Sequence, residues 1–139
     1  MDGGLAMRGN KISFVYFATC EGFTKIGVAQ DVSTRIRIIG TSCPWPVTRE
    51  AHILGNEQDE ALLHGFFRSE KLHHRNEWFR REGKLAELLD ALAPYSHSFT
   101  AATAMAEHWW ANAYHPTREK DRIGTRGWPP TMEEVAAII

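Results

Sequence analysis

The stretch ISFVYFATCEGFTKIGV, residues 12–28, decides the fold of this chain. Residues 12–19 are mostly aromatic and β-branched, which is typical of a strand. The turn-like residues Cys20, Glu21 and Gly22 follow, and strand character then resumes from Phe23. Two such runs across a short link that contains glycine predict a β-hairpin.

The residues that follow the hairpin predict a short helix and a third strand. Asp31 is a good N-cap, and Gly40 marks the expected end of the helix. Between them the apolar residues recur at helical spacing: Val32, Ile36 and Ile39. A loop with two prolines comes next, and residues 47–54 then read as a strand.

Helical patterns dominate the rest of the chain. Asn56 predicts the start of a second helix that runs to about Ser69. After the extended piece Glu77-Trp78-Phe79, a third helix closes at Pro94. Its apolar residues repeat at i, i+3, i+4 and i+7, which indicates one buried face: Leu85, Leu88, Leu89 and Leu92.

Beyond Pro94 the sequence predicts a helical extension. Residues 100–114 form a helix with one face that we expect to pack on the main domain: Ala102, Met105, Trp109 and Ala113. A loop rich in Arg and Lys follows, and a capping box over residues 131–134 predicts a final short helix.

These elements predict an α+β fold, arranged like an α/β sandwich, in which helices flank a small three-stranded antiparallel sheet. We expect a flexible N-terminus over residues 1–10, a main domain over 11–94 and a helical C-terminal extension over 95–139.

Composition narrows the classes of function. The chain has 139 residues and a formal net charge of -1, from 16 Lys and Arg against 17 Asp and Glu. It therefore lacks the strong positive charge of a tight non-specific nucleic-acid binder, and any contact with a polyanion must be local. Residues 63–84 are modestly basic, although a solvated charged face explains them equally well.

The cysteines and the apolar runs indicate the compartment. Cys20 and Cys43 are the only cysteines and form no Cys-x-x-Cys motif, so they read as free thiols in a reducing environment. No stretch resembles a signal peptide or a membrane span. These features predict a cytoplasmic protein that does not enter a membrane.

Five short motifs occur in a recognisable order. They are Tyr16 on the first hairpin strand, Lys25-Ile26-Gly27 on the second, Arg35 on the first helix, Glu60-Ala61-Leu62-Leu63-His64 on the second helix, and Glu77-Trp78-Phe79. Together they resemble the GIY-YIG nuclease superfamily, and in particular a small branch that is common in phage and bacterial genomes. The resemblance covers roughly residues 13–92.

The resemblance implies a DNA endonuclease that uses one divalent metal, Mg²⁺ or Mn²⁺. Glu60 would be the metal ligand, because a hard cation needs one or two carboxylates and fills its other positions with water and phosphate. Tyr16 would be the general base or orient the attacking water, with Lys25 as the nearby cation. Arg35 would hold the scissile phosphate. These four residues are the expected catalytic set.

Further residues would support or extend this site. Gly27, His64 and Glu77 are the expected supporting residues. The candidates for contact with the DNA backbone are cations outside the catalytic set: Arg37, Arg68, Lys71 and Arg75. The expected partner is DNA, and the C-terminal extension offers a route to a homodimer or a partner protein.

Two alternatives stay open. The same fold would serve as a module that binds nucleic acid or protein without cutting. A zinc site built from Cys43, His64, His73 and His74 is the weaker alternative, because no pair among them has zinc-finger spacing.

Overall fold

The structure, a computed structural model, describes residues 7–8, 11–72 and 77–113. Strands β1 (Met7–Arg8) and β2 (Lys11–Ile12) form a small antiparallel ladder. Strands β3 (Phe14–Cys20) and β4 (Phe23–Ala29) follow and pair antiparallel across a tight turn. The predicted hairpin is therefore confirmed.

The main sheet has four strands, so the predicted three-stranded sheet is wrong. Its order is β5-β3-β4-β6, where β5 is Thr48–Leu54 and β6 is Trp78–Arg80, and every pairing is antiparallel. The fourth strand has only three residues, too few to show a period-2 pattern in the sequence. It forms because Phe79 is fully buried and β4 supplies the backbone partners.

Four helices flank this sheet and complete an α+β fold. Helix α1 (Val32–Thr41) begins where the Asp31 carboxylate accepts a hydrogen bond from the Thr34 backbone N–H at 3.1 Å. Helix α2 (Glu57–Phe66) begins with a capping box between Asn56 and Asp59. Both predicted N-caps are confirmed.

Helix ends deviate more from the sequence patterns than helix starts do. Helix α2 stops at Phe66 rather than near Ser69, and the chain continues in a 3₁₀ turn, Arg68–Glu70. Helix α3 (Gly83–Leu92) buries all four of its predicted leucines and ends two residues before Pro94.

The two faces of the sheet bury different sets of side chains, because successive residues of a strand point to opposite sides. One face carries Val15, Phe17 and Ile26 into the main core, which α2, α3 and the last helix cover. The other face carries Tyr16 and Ala18 against α1 in a smaller cluster.

Helix α4 (Phe99–Ala113) packs on the main core, as predicted, through a face that only partly matches the predicted one. Ala102, Ala106 and Trp110 are its buried apolar residues, whereas Met105 and Trp109 lie partly buried at the border. The Ala113 side chain, the basic loop and the final capping box lie outside the described residues. Of the helices described, none is both long and apolar enough to cross a membrane.

Candidate functional site

Strand β6 covers only the first part of the outer edge of β4. Strand β6 lies opposite Phe23–Lys25, and the Ile26 backbone N–H still donates to the Glu77 C=O at 3.1 Å. The Ile26 C=O, however, accepts a hydrogen bond from Nε2 of His64 at 3.0 Å. A side chain from α2 thus takes the place of a strand partner at this point.

Tyr16 and Gly27 face each other across the hairpin at this edge. A Cβ added to Gly27 would lie 2.5 Å from Cζ and 2.9 Å from Cε2 of Tyr16, closer than real side chains approach. The tyrosine ring therefore lies over the glycine, and Gly27 is required by space rather than by its backbone angles. Tyr16 is only 1% exposed.

The hydroxyl of Tyr16 lies among charged groups. The Arg35 guanidinium and the Glu77 and Glu60 carboxylates are all close enough to act on its charge. Burial raises the pKa of Tyr16, and this effect outweighs the lowering effect of Arg35. The phenol is therefore protonated at neutral pH, which favours the water-orienting role over that of a general base.

Lys25 forms an ion pair at the same edge. Its ammonium lies 2.7 Å from Oε1 of Glu77, whose side chain is 47% exposed. It also lies 6.0 Å from the centre of the Trp78 ring, within the range of a cation–π contact. Because the pair is open to solvent, it adds little to folding stability.

Glu60 and His64 occupy one face of α2, one turn apart. Oε2 of Glu60 lies 3.9 Å from Nε2 of His64, and both side chains are mostly buried. Burial lowers the pKa of His64, although the hydrogen bond to Ile26 acts in the opposite direction. A neutral imidazole whose Nε2 donates to a carbonyl supports the strand edge, which matches the supporting role predicted for His64.

The structure thus brings together the predicted catalytic and supporting residues. We call this group the Gly27 site: Tyr16, Lys25, Gly27, Arg35, Glu60, His64 and Glu77. Tyr16 links Arg35, Glu60 and Glu77 electrostatically, and the Lys25–Glu77 pair extends the same group. Four separate elements contribute to it, so it depends on the complete fold.

The predicted backbone-binding cations do not all reach this site. Arg37 is exposed on α1 but acts on Asp31 at the start of that helix, and residues two apart on a helix face different directions. Arg68 is exposed in the 3₁₀ turn, and the Lys71 ammonium lies 5.9 Å from the Phe79 ring. Arg75 lies outside the described residues.

The Gly27 site contains the type of oxygen donor that a hard divalent cation prefers. Glu60 and Glu77 supply carboxylate oxygens, and Mg²⁺ commonly uses one or two carboxylates together with waters and a substrate phosphate. Across residues 7–8, 11–72 and 77–113, no group of three or more His, Cys, Asp or Glu side chains is arranged to hold a metal ion. Substrate and water would therefore supply most of the ligands of such a cation.

Two members of the alternative zinc set, His73 and His74, lie outside the described residues.

Sequence reasoning missed a second polar cluster, which we call the Glu50 cluster: Thr19, Glu50, Arg81 and Asp90. Arg81 donates to both carboxylate oxygens of Glu50, at 2.7 and 2.9 Å, and to Asp90 at 3.0 Å. Thr19 also donates to Glu50. Arg81 had been counted with the basic stretch. Only the fold reveals the pair, because 31 residues separate its partners.

The fold and the site define a small α+β domain with a polar site at a half-paired sheet edge. The chain belongs to the T5orf172 domain family, whose family model matches residues 13–95. This domain is associated with nucleic acids and is a phage-associated, nuclease-like domain. No curated protein and no solved structure matches the chain.

The family match corrects the resemblance to the GIY-YIG superfamily, which is wrong. T5orf172 is a different family, and its match spans all of the motifs on which the resemblance rested. Those motifs are short, and the segment Phe14-Val15-Tyr16 keeps only the tyrosine of the expected Gly-Ile-Tyr signature. The roles of individual residues must therefore be argued from the geometry of the Gly27 site.

Proposed function

We propose that the Gly27 site binds the backbone of DNA and hydrolyses a phosphodiester bond with the help of Mg²⁺ or Mn²⁺. The observation that carries this proposal is the convergence of Arg35, Glu60 and Glu77 on the Tyr16 hydroxyl. A guanidinium, carboxylates and a phenol at one edge are the groups that this reaction needs.

Arg35 is the group best suited to hold the phosphate. It is exposed on α1, and its guanidinium lies close enough to the Tyr16 hydroxyl to lower its pKa. A planar guanidinium can bind two phosphoryl oxygens at once, and its charge stabilises the negative charge of the transition state. Lys25 adds a second positive charge nearby.

Tyr16 would orient the attacking water. Because burial raises the pKa of Tyr16, its hydroxyl keeps its proton, which it can donate to a water. The ring of Tyr16 packs directly over Gly27 on the neighbouring strand, so the hydroxyl has little freedom to move. A fixed donor of this kind lowers the cost of aligning a water with the phosphorus.

Glu60 would hold the cation, with Glu77 as a second carboxylate within reach of the site. When bound, Mg²⁺ or Mn²⁺ would neutralise charge on the phosphoryl oxygens and acidify a bound water. The weak overall charge of the chain means that binding relies on this local site.

Plasmid nicking tests the proposal. The purified protein is incubated with supercoiled plasmid in Mg²⁺ or Mn²⁺, alongside Glu60→Gln and the control Glu57→Gln. Glu57 is exposed on the same helix and lies outside the site. We expect metal-dependent nicking that Glu60→Gln reduces by roughly a hundredfold or more and Glu57→Gln leaves unchanged.

Two results would overturn the nuclease proposal. One is the absence of nicking by the wild-type protein in either metal. The other is equal nicking by wild type and Glu60→Gln. Binding of the plasmid without nicking would instead identify a non-catalytic nucleic-acid-binding module.

A further inference from the structure

An apolar pocket opens beside the Gly27 site and takes no part in the proposed chemistry. Its volume is about 410 Å³, and Phe23, Trp45, Leu72 and Trp78 form its walls. Trp45 is 56% exposed, Leu72 41% and Phe23 40%. Large apolar side chains gathered at the surface in this way mark a binding site rather than a part of the core.

Trp45 is held in place although it is exposed. Pro44 and Pro46 flank it and restrict the backbone on both sides. Its C=O accepts a hydrogen bond from Sγ of Cys20, at 3.6 Å. A ring that is already ordered loses little entropy when a flat ligand stacks on it, so the loop is suited to binding.

The pocket is continuous with the Gly27 site. Trp78 lies opposite Lys25 in the pairing of β4 with β6. Lys25 belongs to the Gly27 site and Trp78 to the pocket, so the two regions meet at this pair of residues. The Lys25 ammonium lies 6.0 Å from the centre of the Trp78 ring and 2.7 Å from Glu77. A strand whose phosphate lies at Arg35 and Lys25 would therefore carry its neighbouring base toward the pocket.

We infer that this pocket stacks an unpaired base next to the scissile phosphate, an inference that rests on the function proposed above. Aromatic side chains bind bases of single strands through their faces, and every base offers such a face. The substrate class is then single-stranded or locally opened DNA rather than continuous duplex, in which the bases are already stacked on each other.

The size of the pocket favours a base over a protein partner. A stable protein interface buries about 800 Å² on each side, with a polar rim around an apolar centre. This pocket has four main walls, and its volume lies in the range of pockets for one small ligand, with room for a base and part of its sugar. Its position beside the cations of the Gly27 site also complements the negative charge of a nucleic-acid backbone.

Fluorescence anisotropy in EDTA and low salt tests the inference, because it measures binding without cleavage. The probes are a short labelled single strand, the same strand with abasic residues at its central positions, and the blunt duplex. We expect the full-length protein to bind the intact strand roughly tenfold more tightly than the abasic strand or the duplex.

Substitutions in the protein test whether the preference for the intact strand comes from the pocket. Trp45→Ala should remove the difference between the intact and abasic strands, while Tyr95→Ala, an exposed aromatic residue remote from β4, should keep it. Equal binding of the intact and abasic strands by the wild type would overturn the inference. So would a base preference that Trp45→Ala retains.

The two proposals fail in distinguishable ways. A base preference without plasmid nicking would overturn the nuclease proposal and leave the pocket in place. Nicking without any base preference would overturn the role of the pocket alone. The abasic probe needs no substitution in the protein, so the result does not depend on how well a variant folds.

Discussion

The Glu50 cluster and the Gly27 site lie on the same sheet but are built differently. In the Glu50 cluster, one guanidinium makes three hydrogen bonds to two carboxylates, and Thr19 donates to one of them. In the Gly27 site, the Lys25–Glu77 pair is a single contact and about half of Glu77 is open to solvent. The first arrangement uses its charges within the fold, whereas the second leaves part of its charge open to solvent.

The largest loss of folding stability is expected from a substitution that breaks the Glu50 cluster. Arg81→Ala should lower the free energy of unfolding by about 3 kcal/mol, because it leaves a mostly buried Glu50 carboxylate without its main partner. Urea denaturation checks this value. Arg80→Ala, which removes an exposed pair with Glu82 and an exposed hydrogen bond to the Ser69 C=O, should cost less, about 1 kcal/mol. Equal losses in the two variants would contradict the comparison.

Gly27→Ala should lower the stability of the fold, because the Gly27 site has no space for a side chain at this position. The added methyl group would collide with the Tyr16 ring, and overpacking of this kind costs about 2 kcal/mol. Thermal denaturation measures the loss. The matched control is Gly65→Ala on α2, where a Cβ meets nothing within 4 Å. That substitution should be neutral or stabilising, since alanine favours a helix.

Acid titration sharpens the comparison further. Burial acts to raise the pKa of Glu50, but hydrogen bonds from Arg81 and Thr19 hold it below the ordinary value of 4.5. The cluster therefore stabilises the fold above pH 4.5, and this contribution is lost as pH falls through the lowered pKa. The stability difference between wild type and Arg81→Ala should shrink by about 1 kcal/mol over this range. A constant difference would contradict the account.

His52 provides an internal reference for that titration. Burial and the nearby Arg49 lower its pKa from 6.5 to about 4. The unfolded chain takes up a proton over this interval before the folded chain does, so stability falls as pH drops from 6.5 toward 4. Wild type and Arg81→Ala share this loss, which therefore cancels in their difference.

The smallest effect on stability is expected from Lys25→Ala. The free energy of unfolding should change by less than about 0.5 kcal/mol, because the ion pair with Glu77 is exposed. Binding of a short DNA strand in low salt should nevertheless weaken severalfold, with a salt slope reduced by about 1. Lys84→Ala, an exposed cation on α3, is the control and should leave binding unchanged. If Lys25→Ala lost stability but kept its binding of DNA, the Lys25–Glu77 pair would serve the fold, as the Glu50 cluster does, rather than a ligand.

Local signals in the sequence predicted most of the framework. The N-caps Asp31 and Asn56 act within three residues of themselves, and the leucines of α3 repeat within one helix. Such patterns can be read without knowing the fold. The short strand β6 could not be identified in this way, because its residues depend on β4, far away in the chain.

The candidate site was predicted through short motifs, which named residues that the fold brings together but indicated the wrong family. The structure brings Tyr16, Arg35, Glu60 and Glu77 together, although the family suggested by the motifs was wrong. Trp78 and Phe79 are both large aromatic residues, and the sequence alone does not separate their roles. Since neighbours on a strand point to opposite faces, Phe79 fills the core and Trp78 lines the pocket.

The hydrogen bond from His64 to the Ile26 carbonyl has a consequence for solubility. An unpaired strand edge is a template on which a second molecule can add a strand and begin to aggregate. By occupying the acceptor at Ile26, the imidazole blocks the place where such an addition would continue from β6. Where β6 ends, the His64 side chain thus occupies a backbone acceptor of β4 that a further strand would otherwise use.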